Sequence, residues 1–143
     1  MKKSDIILNI GCSNSKLSED LSEEGFEDIT NIDFSNKIIN IMEQMYKEKY
    51  LKMKFQVMDV LDMKEFQNGS FNTVLDKDTL DCILCGDNSV PNAAKMMSEV
   101  FLVLTAEKHY IIITYGDPEK KDSNFHSIFP QANNENNNKK KYM

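Results

Sequence analysis

Two hydrophobic periods alternate along this chain. Ile6 to Ile10 (IILNI) is a short, mostly apolar run with isoleucine at both ends, and it stops in the small-residue loop Gly11-Cys12-Ser13-Asn14-Ser15. That pattern predicts a buried strand feeding a tight turn. Lys16 to Glu24 then reads as a helix, with Leu17 and Leu21 on one face, Ser15 as its N-cap and Gly25 as its stop. Glu27 to Asp33 predicts a second strand carrying Ile29 and Ile32. Ser35 caps a second helix over Asn36 to Tyr50, whose inward stripe reads Ile38, Ile41, Met42, Met45, Tyr46 and Tyr50. Met53 to Met58 is a third strand with Phe55 and Val57 inside, ending at Asp59-Val60. A turn over Gln67 to Ser70 precedes a fourth strand, Phe71 to Leu75, which closes in Asp76-Lys77. Asp78 to Cys85 is a short helical segment. Pro91 fits the first turn of a longer helix through Ala93, Met96, Met97, Val100, Phe101 and Leu104. His109 to Tyr115, with Ile111-Ile112-Ile113, predicts a fully buried fifth strand.

Strands alternating with helices through short loops imply an α/β fold built on a mostly parallel, Rossmann-like sheet. Ligands of such sheets bind at the carboxyl ends of the strands. Gly11, Asp33, Asp59, Asp76 and Lys77 all fall at those ends. One domain is expected for 143 residues that are 41% hydrophobic. It is read as a core over residues 1–118, followed by an asparagine- and lysine-rich, disordered tail over 119–143.

Charge and cysteine content narrow the functional classes. A formal net charge of -6 and a pI near 4.9 argue against a nucleic-acid surface spread over the domain, while tolerating a basic protein substrate. Cys12, Cys82 and Cys85 cannot all pair, and the Cys82–Cys85 spacing lacks a second CxxC or a nearby histidine. Reduced thiols and no metal are therefore expected. No stretch approaches the ~20 apolar residues of a membrane span, so a cytoplasmic protein without membrane contact is read.

A strand, glycine turn, helix, strand and acid, with Asp33 about 20 residues beyond Gly11, is an arrangement for an adenosine-containing cofactor. A nicotinamide dinucleotide asks for GxGxxG, and the matching positions here hold Gly11, Ser13 and Lys16. Lysine at the third position spoils close packing of helix on strand, which disfavours that cofactor.

Gly11-Cys12-Ser13-Asn14-Ser15, Leu17-Ser18-Glu19 and Asn31-Ile32-Asp33-Phe34-Ser35 resemble the class I S-adenosylmethionine-dependent methyltransferases. The resemblance is closest to the branch containing the elongation factor 1-alpha lysine methyltransferases. Met58-Asp59-Val60, Leu75-Asp76-Lys77-Asp78-Thr79-Leu80-Asp81 and Ser98-Glu99-Val100 extend it, so that it spans about Ile6 to Pro118. It implies S-adenosylmethionine as cofactor, S-adenosylhomocysteine as product and a protein lysine as acceptor. A small-molecule acceptor, or a catalytically silent cofactor-binding module, are the alternatives. The implied site is made of Gly11, Cys12, Ser13 and Asn14 at the methionine part, Asp33 at the ribose hydroxyls and Phe34 beside the adenine. Asp59 and the Val60 amide meet the adenine edge. Asp76 and Lys77 lie at the point of methyl transfer, with Asp76 as the catalytic residue that orients the amine.

The sequence departs from that family at Ser13, which replaces a second glycine, and at Asn72, which replaces an aspartate. Asp78 stands in place of a glycine, and Thr105-Ala106-Glu107-Lys108 in place of a proline-glycine-glycine turn. The family also has an N-terminal helical segment and two strands beyond the fifth. A core truncated to about five strands is therefore expected, with an apolar fifth-strand edge that can pair with another chain.

Overall fold

The computed structural model describes residues 1–115. In chain order these form β1 (Ile7–Ile10), α1 (Leu17–Glu23), β2 (Ile29–Asp33), α2 (Asn36–Tyr46), β3 (Lys54–Val57), β4 (Phe71–Lys77), α3 (Thr79–Leu84), α4 (Ser89–Val103) and β5 (Leu104–Ile113). The strands make one sheet in the order β3-β2-β1-β4-β5, with every pairing parallel. The tail over 119–143 and the end of the core at Gly116 to Pro118 lie outside the described residues.

The two-residue period of β1 sorts its side chains onto two cores. Leu8 and Ile10 join Val74, Met96, Val100 and Leu80 on the face covered by α3 and α4. Ile7 joins Ile29, Leu75, Met42 and Tyr46 on the face covered by α1 and α2. Burying a side chain of this size contributes about 1.5–3 kcal/mol, so a short strand suffices at the centre of a covered sheet.

Local signals set the helix ends. Gly25, at φ +91°, ends α1 with Phe26 N–H donating to the Leu21 carbonyl and Gly25 N–H to that of Ser22. This is the paired bonding of a left-handed C-terminal cap. The Ser35 hydroxyl accepts from Ile38 N–H at 3.3 Å, as an N-cap should. Ser15 acts one position earlier than expected. Its hydroxyl accepts from Leu17 N–H at 3.2 Å, and the N-cap itself is Lys16.

Packing rotates or shortens several expected elements. The buried stripe of α2 is Ile39, Met42 and Tyr46, whereas Ile41 and Met45 are exposed. The helix also ends at Tyr46, and Tyr50 packs from the turn beyond it. β3 is an edge strand, so Phe55 packs while Val57 is exposed. β5 begins directly after α4, at Leu104. The anticipated turn over Thr105 to Lys108 is an irregularity inside the strand, where the partner of β4 jumps from Leu104 to His109 and Glu107 takes φ +60°. Nor is β5 fully buried: Ile111 and Ile112 pack on opposite faces, and Ile113 is 42% exposed. It borders β4 alone among the described residues, so only one flank is covered.

Candidate functional site

Parallel register brings the expected residues to one rim. Ile10 stands beside Ile32 on one side and Asp76 on the other, and Asp33 stands beside Val57. The turn after β1, Asp33-Phe34 after β2, Asp59-Val60 after β3 and Lys77 at the end of β4 therefore share the carboxyl end of the sheet. Backbone bonds tie the rim together: Cys12 N–H donates to the Ile32 carbonyl and Met58 N–H to that of Asp33.

Asp33 is 7% exposed, and its carboxylate is held from two sides. Oδ2 accepts from Ser13 N–H at 3.0 Å, and Oδ1 from Ser35 N–H at 2.9 Å. Ser13 takes the left-handed φ of +47° in this turn. Phe34, the next residue, is 83% exposed. Asp59 is exposed, with Oδ1 accepting from Leu61 N–H at 2.8 Å in a local turn. Val60 packs part of its surface on the core. Asn14 is exposed and lines a groove of about 570 Å³ along α1 and α2, with Met45 and Lys49.

Cys12 is buried behind the turn. Desolvation, helped by the nearby Asp33 charge, pushes its thiol pKa up to about 12, so it stays protonated and unreactive. Cys82 and Cys85 are exposed free thiols on and just after α3, and no group of metal-ligating side chains occurs among the described residues.

Asp76 is held from several sides. It is 1% exposed, and both oxygens are committed inside the fold. Oδ1 accepts from Thr79 N–H at 2.9 Å and Oδ2 from the Tyr110 hydroxyl at 2.8 Å, while both oxygens lie near Leu80 N–H. Burial raises its pKa against the lowering effect of these donors. Such a carboxylate fixes the β4–α3 turn. The same burial and the Asp76 charge raise the Tyr110 pKa, so the phenol remains a donor. Lys77 pairs with Asp78 at 2.8 Å, which raises its pKa, and its ammonium lies 5.6 Å from the Tyr115 ring centroid. Asp78 takes φ +69°, which is the backbone reason a glycine suits that position.

Sequence reasoning missed three features beneath this rim. Asn9 Nδ2 donates to Asn31 Oδ1 at 2.9 Å and to Ser18 Oγ at 3.1 Å, and Asn31 Nδ2 donates to the Lys54 carbonyl at 3.3 Å. This satisfied buried network pins α1 and β3 to the strands that carry Gly11 and Asp33. Its signal was available, since an asparagine is the third residue of both β1 and β2. Thr79 and Tyr110 are the other two, and only the fold brings them to Asp76.

The acceptor and donor set suits an adenosine-containing cation. Asp33 and Asp59 are carboxylate acceptors for hydroxyl and amino donors, Phe34 offers a bare ring face, and Asp78 Oδ1 is buried with no hydrogen-bond partner among the described residues.

Comparison with known proteins agrees with this geometry. An eEF1A lysine and N-terminal methyltransferase of Bos taurus is 37% identical over 116 residues, covering 80% of this chain and 16% of that protein. An EEF1A lysine methyltransferase 4 of Bos taurus is 33% identical over 122 residues, covering 80% of this chain and 47% of that protein. The chain thus spans less than half the length of these relatives. In three dimensions it resembles a SAM-dependent methyltransferase from Methanosarcina mazei, with a TM-score of 0.72 at 22% identity over 87% of this chain and 59% of that one. The architecture is that of the class I S-adenosylmethionine-dependent methyltransferases. With a methyltransferase domain model matching residues 1–143, the chain belongs to the methyltransferase domain family.

Proposed function

We propose that this chain is the S-adenosylmethionine-binding core of a methyltransferase that acts on a protein lysine. The observation that carries the cofactor half is the shared rim, where the Gly11 turn, the Asp33 carboxylate and the bare Phe34 ring stand side by side. When bound, the cofactor supplies an electrophilic methyl on a positively charged sulfur. Asp33 would take the ribose hydroxyls through the lone pairs that Ser13 and Ser35 leave free. Phe34 would cover one face of the adenine, and Asp59 with the Val60 amide would read its edge. The turn from Gly11 to Asn14 would approach the methionine part, beside the Lys77 backbone.

An amine acceptor must arrive neutral, because its lone pair forms the new bond. Its proton leaves to water, since no histidine among the described residues lies on the rim. Asp76 acts in this reading as a positioning residue that holds the β4–α3 turn. Lysine as acceptor rests on the names of the relatives, one of which also names N-terminal methylation. A cofactor-binding module without transfer is the second reading. It is favoured by the full commitment of Asp76 to Thr79, Leu80 and Tyr110.

Ligand-dependent melting tests the cofactor. A ligand at a hundredfold its dissociation constant adds about 2.7 kcal/mol of stability. S-adenosylhomocysteine should raise the melting temperature and nicotinamide dinucleotides should not; a response to the latter alone overturns the reading. Asp33→Ala should abolish the shift. Labelled methyl offered with a proteome should enter lysine side chains. Label at N-terminal amines or in metabolites would reassign the acceptor, and binding without transfer would favour the silent module.

A further inference from the structure

Gly11 is crowded by the first residue of α3. A Cβ at Gly11 would stand 2.1 Å from Thr79 Oγ1 and 2.9 Å from Thr79 Cγ2, closer than real Cβ atoms come. The Thr79 hydroxyl donates to the Ile10 carbonyl at 3.0 Å, at the last β1 residue before the turn. Thr79 N–H in turn donates to Asp76, which accepts from the Tyr110 hydroxyl of β5. A continuous line of contacts runs from β5 through β4 and α3 to the peptide at which the proposed cofactor turn begins.

A glycine at φ +59° has no intrinsic preference for that conformation over its alternatives. Something outside the turn must remove those alternatives, and the neighbour filling the empty Cβ position is Thr79. We propose that Thr79 is a positioning residue for the cofactor. Its hydroxyl holds the Ile10 carbonyl and is also the atom nearest the space a Gly11 Cβ would fill, so the turn is set before the ligand arrives. Preorganisation of this kind raises affinity by lowering the ordering cost of binding. The inference deepens the cofactor reading above and rests on it.

The test uses the whole 143-residue chain and S-adenosylhomocysteine. Calorimetric titration is run on Thr79→Val, which keeps the shape and loses the hydroxyl, and on Thr79→Ser, which keeps the hydroxyl. Titrations are made well below the ligand-free melting temperature of each variant. There the protein is all folded, and a change in stability alone leaves the dissociation constant unmoved. Thr79→Val should bind about tenfold more weakly, the scale of one hydrogen bond's net contribution. Thr79→Ser should stay near wild type. A Thr79→Val protein that melts lower but binds like wild type overturns the proposal, as does a Thr79→Ser protein as weak as Thr79→Val. Should Thr79→Val not fold, Tyr110→Phe tests the same line from its far end: weaker binding supports it and unchanged binding overturns it. A wild-type chain that binds no S-adenosylhomocysteine removes the cofactor reading itself, and this inference with it.

Discussion

Left-handed backbone at Glu107 and Asp78 marks where single residues work against the fold. Both take φ near +60 to +70° with a side chain in place, a conformation that costs an L-residue roughly 1–2 kcal/mol and a glycine almost nothing. Glu107 is exposed inside the β5 irregularity, so its side chain offers little to offset the strain. Glu107→Gly should therefore stabilise the protein by about 0.5–1 kcal/mol, after the entropy lost with glycine. Urea denaturation with an unchanged slope would show it, and a lower midpoint would contradict it. Asp76 presents the opposite case, a strained charge in a satisfied site. Its raised pKa means that the folded state holds the proton more tightly than the unfolded chain does. Its contribution is complete below the ordinary carboxylate value and is lost as pH rises through the raised one. Asp76→Asn keeps an acceptor for Thr79 and Leu80 without the charge. The melting temperature of the variant relative to wild type should therefore climb with pH across that interval and flatten above it. A difference that stays constant with pH would show that Asp76 is not desolvated as described.

Helix ends and strand edges carry the next level of explanation. Gly11 and Gly25 look alike in the sequence, each a glycine at a boundary, and the structure separates them. At Gly25 an added Cβ meets only Lys3 Cδ at 3.8 Å, so space is free and the cost is the φ of +91° alone. Gly25→Ala should then destabilise by about 1 kcal/mol without disturbing ligand binding. Thermal melts with and without S-adenosylhomocysteine would read both effects, and a lost ligand shift would refute the separation. At Gly11 the same alanine collides with Thr79, so strain and clash coincide at the proposed cofactor turn. The edges also differ. β3 carries Lys54 and ends in an exposed Val57, whereas β5 carries three isoleucines beside a flank uncovered among the described residues. The isoleucine run alone makes β5 read as buried, since an apolar run does not say whether its strand has neighbours on both sides.

At the scale of the molecule, three layers hold one rim in place. Two helices on each face bury the sheet, and the Asn9–Asn31–Ser18 network adds a polar pin beneath the turn that carries Gly11. A satisfied network of this kind specifies one arrangement of β1, β2 and α1 more than it adds to stability. The rim is consequently built from residues distant in sequence on a rigid base, which is what an adenosine cofactor needs. The family match and the shared architecture agree with that construction. No helix among the described residues is long and apolar enough to cross a membrane.

The order of strands and helices, the parallel sheet and the convergence of Gly11, Asp33, Asp59 and Asp76 on strand ends were legible in the chain alone. Each follows from local hydrophobic period and turn chemistry, which are short-range properties. Which face of α2 is buried, where β5 begins, and what each carboxylate touches were not. Those depend on neighbours supplied by remote segments: Tyr110 and Leu80 turn Asp76 inward, and Thr79 occupies the space that Gly11 leaves empty. A residue's type states what bonds it can make, and only the packed fold decides which partners have already claimed them.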